Sequence, residues 1–347
     1  MTKMKLISLC VLLATLLCPS CTRQERPGGA VSIRFSAGLP ETRALTDAGS
    51  EIVISAGVPD LVILIFNGNG SLAAKYPGNG VLQDGAAAND MTVRFSGLAA
   101  GTYSVYAVGN ATGLWATKVG NNSVSLGDVT TQAQADALYF TPLFTAETDP
   151  KPNPALQNGR LPVSAKGSLT VSENGNGEVN LPLLRCTSLV TVEFIDLYGE
   201  DLTLENFTFQ LKGINASTGY LFPHTPSDIP DSVVYGDWGA SAGAVNITYD
   251  GTDTGSYALE ALFFPSDAPQ YYLCDIAFDI TDSHAQTFPF SWQDLTVLNK
   301  QGRGITGLGR NQHLRIAIRI SKGTMVSFNF EVADWDTTDS TQTVHFD

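Results

Sequence analysis

The sequence predicts an all-β protein made of two β-sandwich domains in tandem. Three observations predict it. Short runs rich in β-branched and aromatic residues recur along the chain, each bounded by Gly, Pro, Asn or Asp. Only one short stretch, around Thr130 to Leu138, reads as a helix. A chain of 347 residues also exceeds one sandwich and suits two.

The chain opens with Lys3 and Lys5, then the apolar run Leu6 to Leu17, then Cys18-Pro19-Ser20-Cys21. This reads as a secretion signal, too short to span a bilayer as a stable helix. Its end is similar to a bacterial lipobox that makes Cys21 the lipidated first residue, although Cys18 stands where an aliphatic residue is expected. Acyl chains anchor by about 0.8 kcal/mol per buried methylene, so several would hold the protein to a membrane until it was cut loose. Loss of Lys3 and Lys5 takes the formal net charge from −14 to −16, which argues against nucleic acid and anionic lipid as partners.

Cys21 to Gly29 is polar and breaker-rich and reads as a tether. The first strand, Val31 to Ala37, alternates, so Val31, Ile33 and Phe35 share one face, with Ser32 and Arg34 on the other. Leu39 to Gly57 is loop-like and exposes Thr42-Arg43-Ala44, a basic site that a protease can reach. Leu61 to Phe66 is apolar at every position and must be a central strand covered on both faces. Asn67-Gly68-Asn69-Gly70 signals a hairpin turn, and Met91 to Phe95, Thr102 to Asn110, Leu161 to Ser164 and Gly177 to Leu184 complete the first unit. The second opens at Leu189 to Ile195. It continues through Leu202 to Leu211, Val245 to Tyr249, Tyr257 to Phe264 and Tyr271 to Ile280, then Leu314 to Ile320 and Val326 to Val332. No repeat is visible residue by residue. After Asp334-Trp335-Asp336 the tail Gln342 to Phe346 alternates again, with Val344 and Phe346 on one side. Either it completes its own sandwich as an edge strand or it serves a neighbouring molecule.

Chemical motifs are present in letters only. Gly239-Ala240-Ser241-Ala242-Gly243 matches a nucleophile elbow, but that needs a following helix and strand-like residues follow, so a turn is expected. Gly302-Arg303-Gly304-Ile305-Thr306-Gly307 precedes a strand and reads as a loop without a dinucleotide role. Asp334, Asp336 and Asp339 lack the glycine of a calcium loop. The four histidines show no ligand spacing, so no catalytic residue, metal site or cofactor is expected. Cys186 and Cys274 sit in apolar runs as separately buried thiols, with a disulfide as the alternative. Trp115, Trp238, Trp292 and Trp335 belong either to the cores or to a glycan-binding surface.

In order along the chain, Ser20-Cys21, Thr42-Arg43-Ala44, Asp60 to Gly68, Gly101-Thr102-Tyr103, Leu184-Arg185, Arg310 to Ile318 and Val332 to Trp335 give a pattern that resembles the FimA-type fimbrillins. The resemblance implies two transthyretin-like sandwiches and export as an outer-membrane lipoprotein precursor. It further implies that an arginine-specific surface protease cuts between Arg43 and Ala44, and that the C-terminal segment of another subunit fills the groove vacated by the N-terminal strand. The expected division is a signal at 1–20, a lipidated propeptide strand at 21–43, and sandwiches at 44–185 and 186–347. The expected function is a shaft or tip pilin of adhesive fimbriae. A fimbrial anchor or accessory protein, and a surface lipoprotein that binds glycans, are the alternatives. Expected partners are other fimbrial subunits, the protease, the outer membrane through the lipid, and a host protein or glycan receptor.

Overall fold

The computed structural model describes residues 29–36, 61–83, 90–113, 115–143, 161–215, 218–222, 235–249, 256–267, 271–299, 301–321 and 325–334. Cys21, Arg43, Ala44, Val344 and Phe346 lie outside these residues.

The first half runs β1 (Ala30–Ser36), β2 (Val62–Phe66), β3 (Leu72–Tyr76), β4 (Gly80–Gln83), β5 (Asp90–Ser96), β6 (Gly101–Gly109), β7 (Trp115–Val119) and β8 (Asn122–Ser123). A short helix, α1 (Gln132–Asp136), precedes β9 (Tyr139–Pro142), β10 (Val163–Val171), β11 (Gly177–Pro182) and β12 (Leu184–Arg185). One sheet has the order β11-β1-β5-β4 and the facing sheet β12-β10-β6-β2-β3. Between them lies a core of Val31, Ile33, Phe35, Ile63, Ile65, Val93, Phe95, Val105 and Leu169 among others.

β2 explains itself from its sequence. With no polar position, it needs cover on both faces, and it has it: Ile63 and Ile65 point into that core, while Leu64 and Phe66 point into a second one on the far side of the sheet. The first sandwich is therefore three layers deep, where the sequence suggested two. The third layer is β7, β8 and β9, the 3-10 turn at Leu126–Asp128, and α1. The helix is only five residues long and depends on its capping box, in which the Thr131 hydroxyl accepts from Gln134 N and the Gln134 side chain accepts from Thr131 N. It buries Ala135. Asp136 accepts from Tyr106 Oη at 2.7 Å and from Lys166 Nζ at 2.6 Å.

The second half runs β13 (Ser188–Leu197), β14 (Leu202–Asn215), β15 (Gly219–Tyr220), β16 (Tyr235–Ala242), β17 (Val245–Ile247), β18 (Ser256–Phe263), β19 (Ser266–Asp267), β20 (Leu273–Thr281), β21 (Thr287–Thr296), β22 (Gly307–Leu308), β23 (Gln312–Ser321) and β24 (Met325–Asp334). Its sheets, β18-β13-β23-β24 and β16-β14-β20-β21, close on an aromatic core. There Phe194 meets Phe207 and Phe278 edge to face at 4.9 and 5.2 Å.

The halves share a core. Leu189, Leu221, Phe222 and Phe264, from the second stretch of chain, complete the far-side cluster of the first sandwich, and β15 pairs with β9. Two segments that carry the fimbrillin resemblance meet at this junction. Arg310 Nη2 donates to Ser164 Oγ at 2.7 Å, and Arg185 Nη1 donates to Asn311 Oδ1 at 2.9 Å. Asn311 sits at φ 57, a left-handed conformation that asparagine tolerates, and its N–H bonds Thr187 O at 2.9 Å.

Candidate functional site

The site is the slot that β1 fills. β1 lies inside its sheet, parallel to β11 on one side and antiparallel to β5 on the other. Its alternation does what the sequence requires: Val31, Ile33 and Phe35 are 0, 0 and 1% exposed, Arg34 is exposed and Ser32 half-buried. Register sets Val31 between Phe95 and Gly177, Ile33 between Val93 and Val179, and Phe35 opposite Leu181. The slot is thus a row of three apolar sockets bordered by two strands whose main-chain groups bond whatever lies between them. Its only ion pair, among the described residues, is Arg34 Nε to Glu178 Oε1 at 2.9 Å, exposed on both sides and therefore weak. Holding power comes from apolar burial and main-chain bonds.

At its start β1 crosses the turn between β10 and β11. Ala30 N bonds Asn176 Oδ1 at 3.3 Å. Gly29 lies so close to Gly175 that a methyl group on Gly29 would overlap the Gly175 carbonyl. Gly175 itself is at φ +76. Sequence reasoning found the three apolar residues but neither the parallel neighbour β11 nor this crossing, for which Gly28-Gly29 ahead of the strand was the available signal. β1 ends at Ser36, and β2 begins at Val62.

Other residues singled out in the sequence fall elsewhere. Gly239 and Ser241 are in β16, where Ser241 pairs with Thr208, so the segment is a strand where a turn was expected, and after Ala242 the chain continues along β14 in the same register as β17. Small residues there pair in a ladder instead of bending the chain. The stretch from Gly302 to Gly307 leads by turn and bridge into β22. Cys186 and Cys274 are buried free thiols in different clusters, and burial pushes Cys274 up to about 12. Trp115 is buried against Phe140 and Phe264, and Trp292 packs on Phe328 at 4.8 Å, so both serve cores. A shallow hollow of about 470 Å³ on the outer face of the β16-β14-β20-β21 sheet is lined by Thr208, Gln210, Ser241, Asp275, Ser291 and Gln293. At its edge Lys212 bonds Asp275 at 2.7 Å and Asp294 at 2.8 Å, and holds the Asp275 carboxyl below the usual range. Among the described residues no three His, Cys, Asp or Glu are placed to hold a metal ion, and no helix is long and apolar enough to cross a membrane.

The chain matches the family described as fimbrillin-A associated anchor proteins Mfa1 and Mfa2 over residues 18–341. No curated protein sequence matches it. Among solved structures, it is similar to a candidate cell adhesion protein from Parabacteroides distasonis (TM-score 0.54, 12% identity, 90% of this chain and 99% of that one). It is also similar to one from Bacteroides eggerthii (TM-score 0.51, 14% identity, 86% and 87%). A third likeness is to the tip fimbrial protein Mfa3 from Porphyromonas gingivalis with C-terminal truncation (TM-score 0.45, 11% identity, 89% and 100%). At these identities the structural likeness is one of fold.

Proposed function

We propose, on the premise that the chain belongs to the family of fimbrillin-A associated anchor proteins Mfa1 and Mfa2, that it is a subunit of adhesive cell-surface fimbriae assembled by strand replacement. The observation that carries the reading is the place of β1: an inner strand supplying Val31, Ile33 and Phe35 to the core, yet separated from β2 by the whole stretch from Ala37 to Leu61. In this reading Cys21 carries the lipid that holds the precursor at the outer membrane. Cleavage between Arg43 and Ala44 by an arginine-specific protease then frees the 21–43 segment from the 44–185 and 186–347 sandwiches. A second subunit offers its tail, with Val344 and Phe346 toward the slot.

Burying the two apolar side chains of the tail stabilises such a contact by roughly 3–6 kcal/mol at 1.5–3 kcal/mol each, with about 1 kcal/mol more for each main-chain bond. Association costs on the order of 4–15 kcal/mol, so the contact holds only because the slot is deep and already formed. One end donates and the other accepts, which makes the contact heterologous and propagates a filament.

A second reading, a fimbrial anchor, is favoured by the description of the family itself. Processing separates the two. Three proteins on the cell surface, the parent, Arg43→Ala and a form cut at Arg43 but lacking residues 340–347, are compared by mass spectrometry and electron microscopy. A polymerising subunit gives filaments with Ala44 as first residue in the parent only, and folded monomers in the other two. A parent chain that keeps Cys21 in mature fimbriae identifies the anchor, and filaments from the truncated form remove the tail as donor.

A further inference from the structure

Resting on the strand-replacement reading, one feature of the slot decides which strand it accepts. Where β1 enters, the chain passes Gly175 with no room for a side chain on either partner: a methyl group on Gly29 would overlap the carbonyl carbon and oxygen of Gly175, and one on Gly175 would lie 3.0 Å from Gly29 Cα. The obstacle is backbone on both sides, so no rotamer change relieves it. The turn that presents Gly175 is fixed by Gly175 N bonding Ser172 O at 2.8 Å, by Ser172 N bonding Asn176 O at 2.9 Å, and by its positive φ. One step further in, Val31 faces Gly177, and a Cβ on Gly177 would come within 2.7 Å of Thr170 O.

We infer that the mouth of the slot selects strands bearing a glycine at the place of Gly29, followed by apolar residues two, four and six positions on. β1 has this pattern in Gly29, Val31, Ile33 and Phe35. The tail lacks it. Running in the direction of β1, with Phe346 in the place of Phe35 and Val344 in that of Ile33, it sets Gln342 in the socket of Val31 and Ser340 against Gly175. A tail from another copy then fills the inner two sockets and leaves the path of β1 before the mouth. The consequence is a fixed order of preference: the chain's own N-terminal strand outcompetes the tail of a neighbour, so an uncut chain stays closed, and only severing β1 from the chain lets the weaker strand of a neighbour replace it.

The test uses the full chain cut after Arg43, with three synthetic peptides competing for the slot: residues 29–36, the same peptide with Gly29→Ala, and residues 340–347. The parent peptide is expected to bind most tightly, with the Gly29→Ala peptide weaker by about tenfold or more, the scale of loss when an added methyl group has nowhere to go. Equal binding of the first two overturns the selectivity while leaving strand replacement standing. Failure of the 29–36 peptide to enter at all overturns strand replacement and the selectivity with it. In the uncut chain, Gly29→Ala is expected to speed amide hydrogen exchange across residues 30–36 relative to a Gly28→Ala control, and unchanged protection overturns the inference independently.

Discussion

The two sandwiches are built on one plan and differ in how their first strand is tied in. In the first, β1 lies parallel to β11 and antiparallel to β5; in the second, β13 lies parallel to β23 and antiparallel to β18. The facing sheets also agree, β10-β6-β2-β3 against β21-β20-β14-β16, so the strands follow one another in the same order in both halves. β13, however, starts within three residues of β12 and reaches β14 after four more, whereas β1 is tied to β2 only through residues 37–61. Similar slots thus hold one strand with short connections on both sides and one with a long connection to the next strand. The difference lies in the connection, since the buried faces are equally apolar: Val31, Ile33 and Phe35 are as deeply enclosed as Val190, Val192 and Phe194.

The largest effect that would break this comparison is removal of the strand itself. Deleting residues 29–36 uncovers a row of sockets worth roughly 5–9 kcal/mol, comparable to the whole stability of a domain. The first sandwich is expected to unfold while the second keeps its amide protection, and a peptide of residues 29–36 supplied separately should restore the first. If the deleted chain retains protection in β5 and β11, the strand is not part of the fold's integrity and the comparison fails.

A subtler contrast comes from matched aromatic truncations. Phe35→Ala and Phe194→Ala each remove a fully buried ring and should each cost about 3–5 kcal/mol, read as a lowered denaturation midpoint of the corresponding sandwich. Only Phe35→Ala should speed release of the N-terminal strand from a chain cut at Arg43. Equal release from both variants would mean that the two sandwiches open together through their shared core.

Much of this was legible beforehand, for reasons that differ by element. β1, β23 and β24 alternate cleanly over long runs, so period two alone located them. The doubly apolar β2 announced that both its faces were covered, but what covers the second face was not readable. That layer is made of two- to five-residue strands, a five-residue helix and residues from the second half, none of which has enough length to show a period. β16 was missed because Gly239-Ala240-Ser241 has the composition of a turn, and the partner that makes it a strand, β14, is distant in sequence. The repeat of strand order was invisible for a related reason: topology is shared while residues are not. At the slot, apolar sockets were predictable from alternation, whereas the Gly29–Gly175 crossing depends on two segments far apart in the chain.

The smallest expected effect separates the halves by acid. His313 is the second residue of β23, with its Nε2 2.8 Å from Thr191 Oγ1, and burial, reinforced by the Arg315 charge, pushes the imidazole from 6.5 down to about 4. Arg315 is itself held by Glu193 at 2.7 Å from Nε, and burial raises the Glu260 carboxyl, which bonds Thr191. An unfolded chain releases His313 to its ordinary value, so between pH 6.5 and 4 the unfolded state binds the extra proton and the folded state does not. Stability of the second sandwich contributed by neutral His313 is present in full above pH 6.5 and falls as pH drops toward 4, by about 3 kcal/mol in all. Glu260 works in the opposite sense, because a carboxyl raised by burial takes up its proton more readily when folded, so the raw pH profile mixes the two. The difference between the parent and His313→Asn isolates the histidine: their stabilities should diverge steadily across that window in the second sandwich and run parallel in the first, measured by urea denaturation with hydrogen exchange assigning each transition. Parallel profiles in both sandwiches would place the proton uptake elsewhere and remove acid as a means of telling the two halves apart.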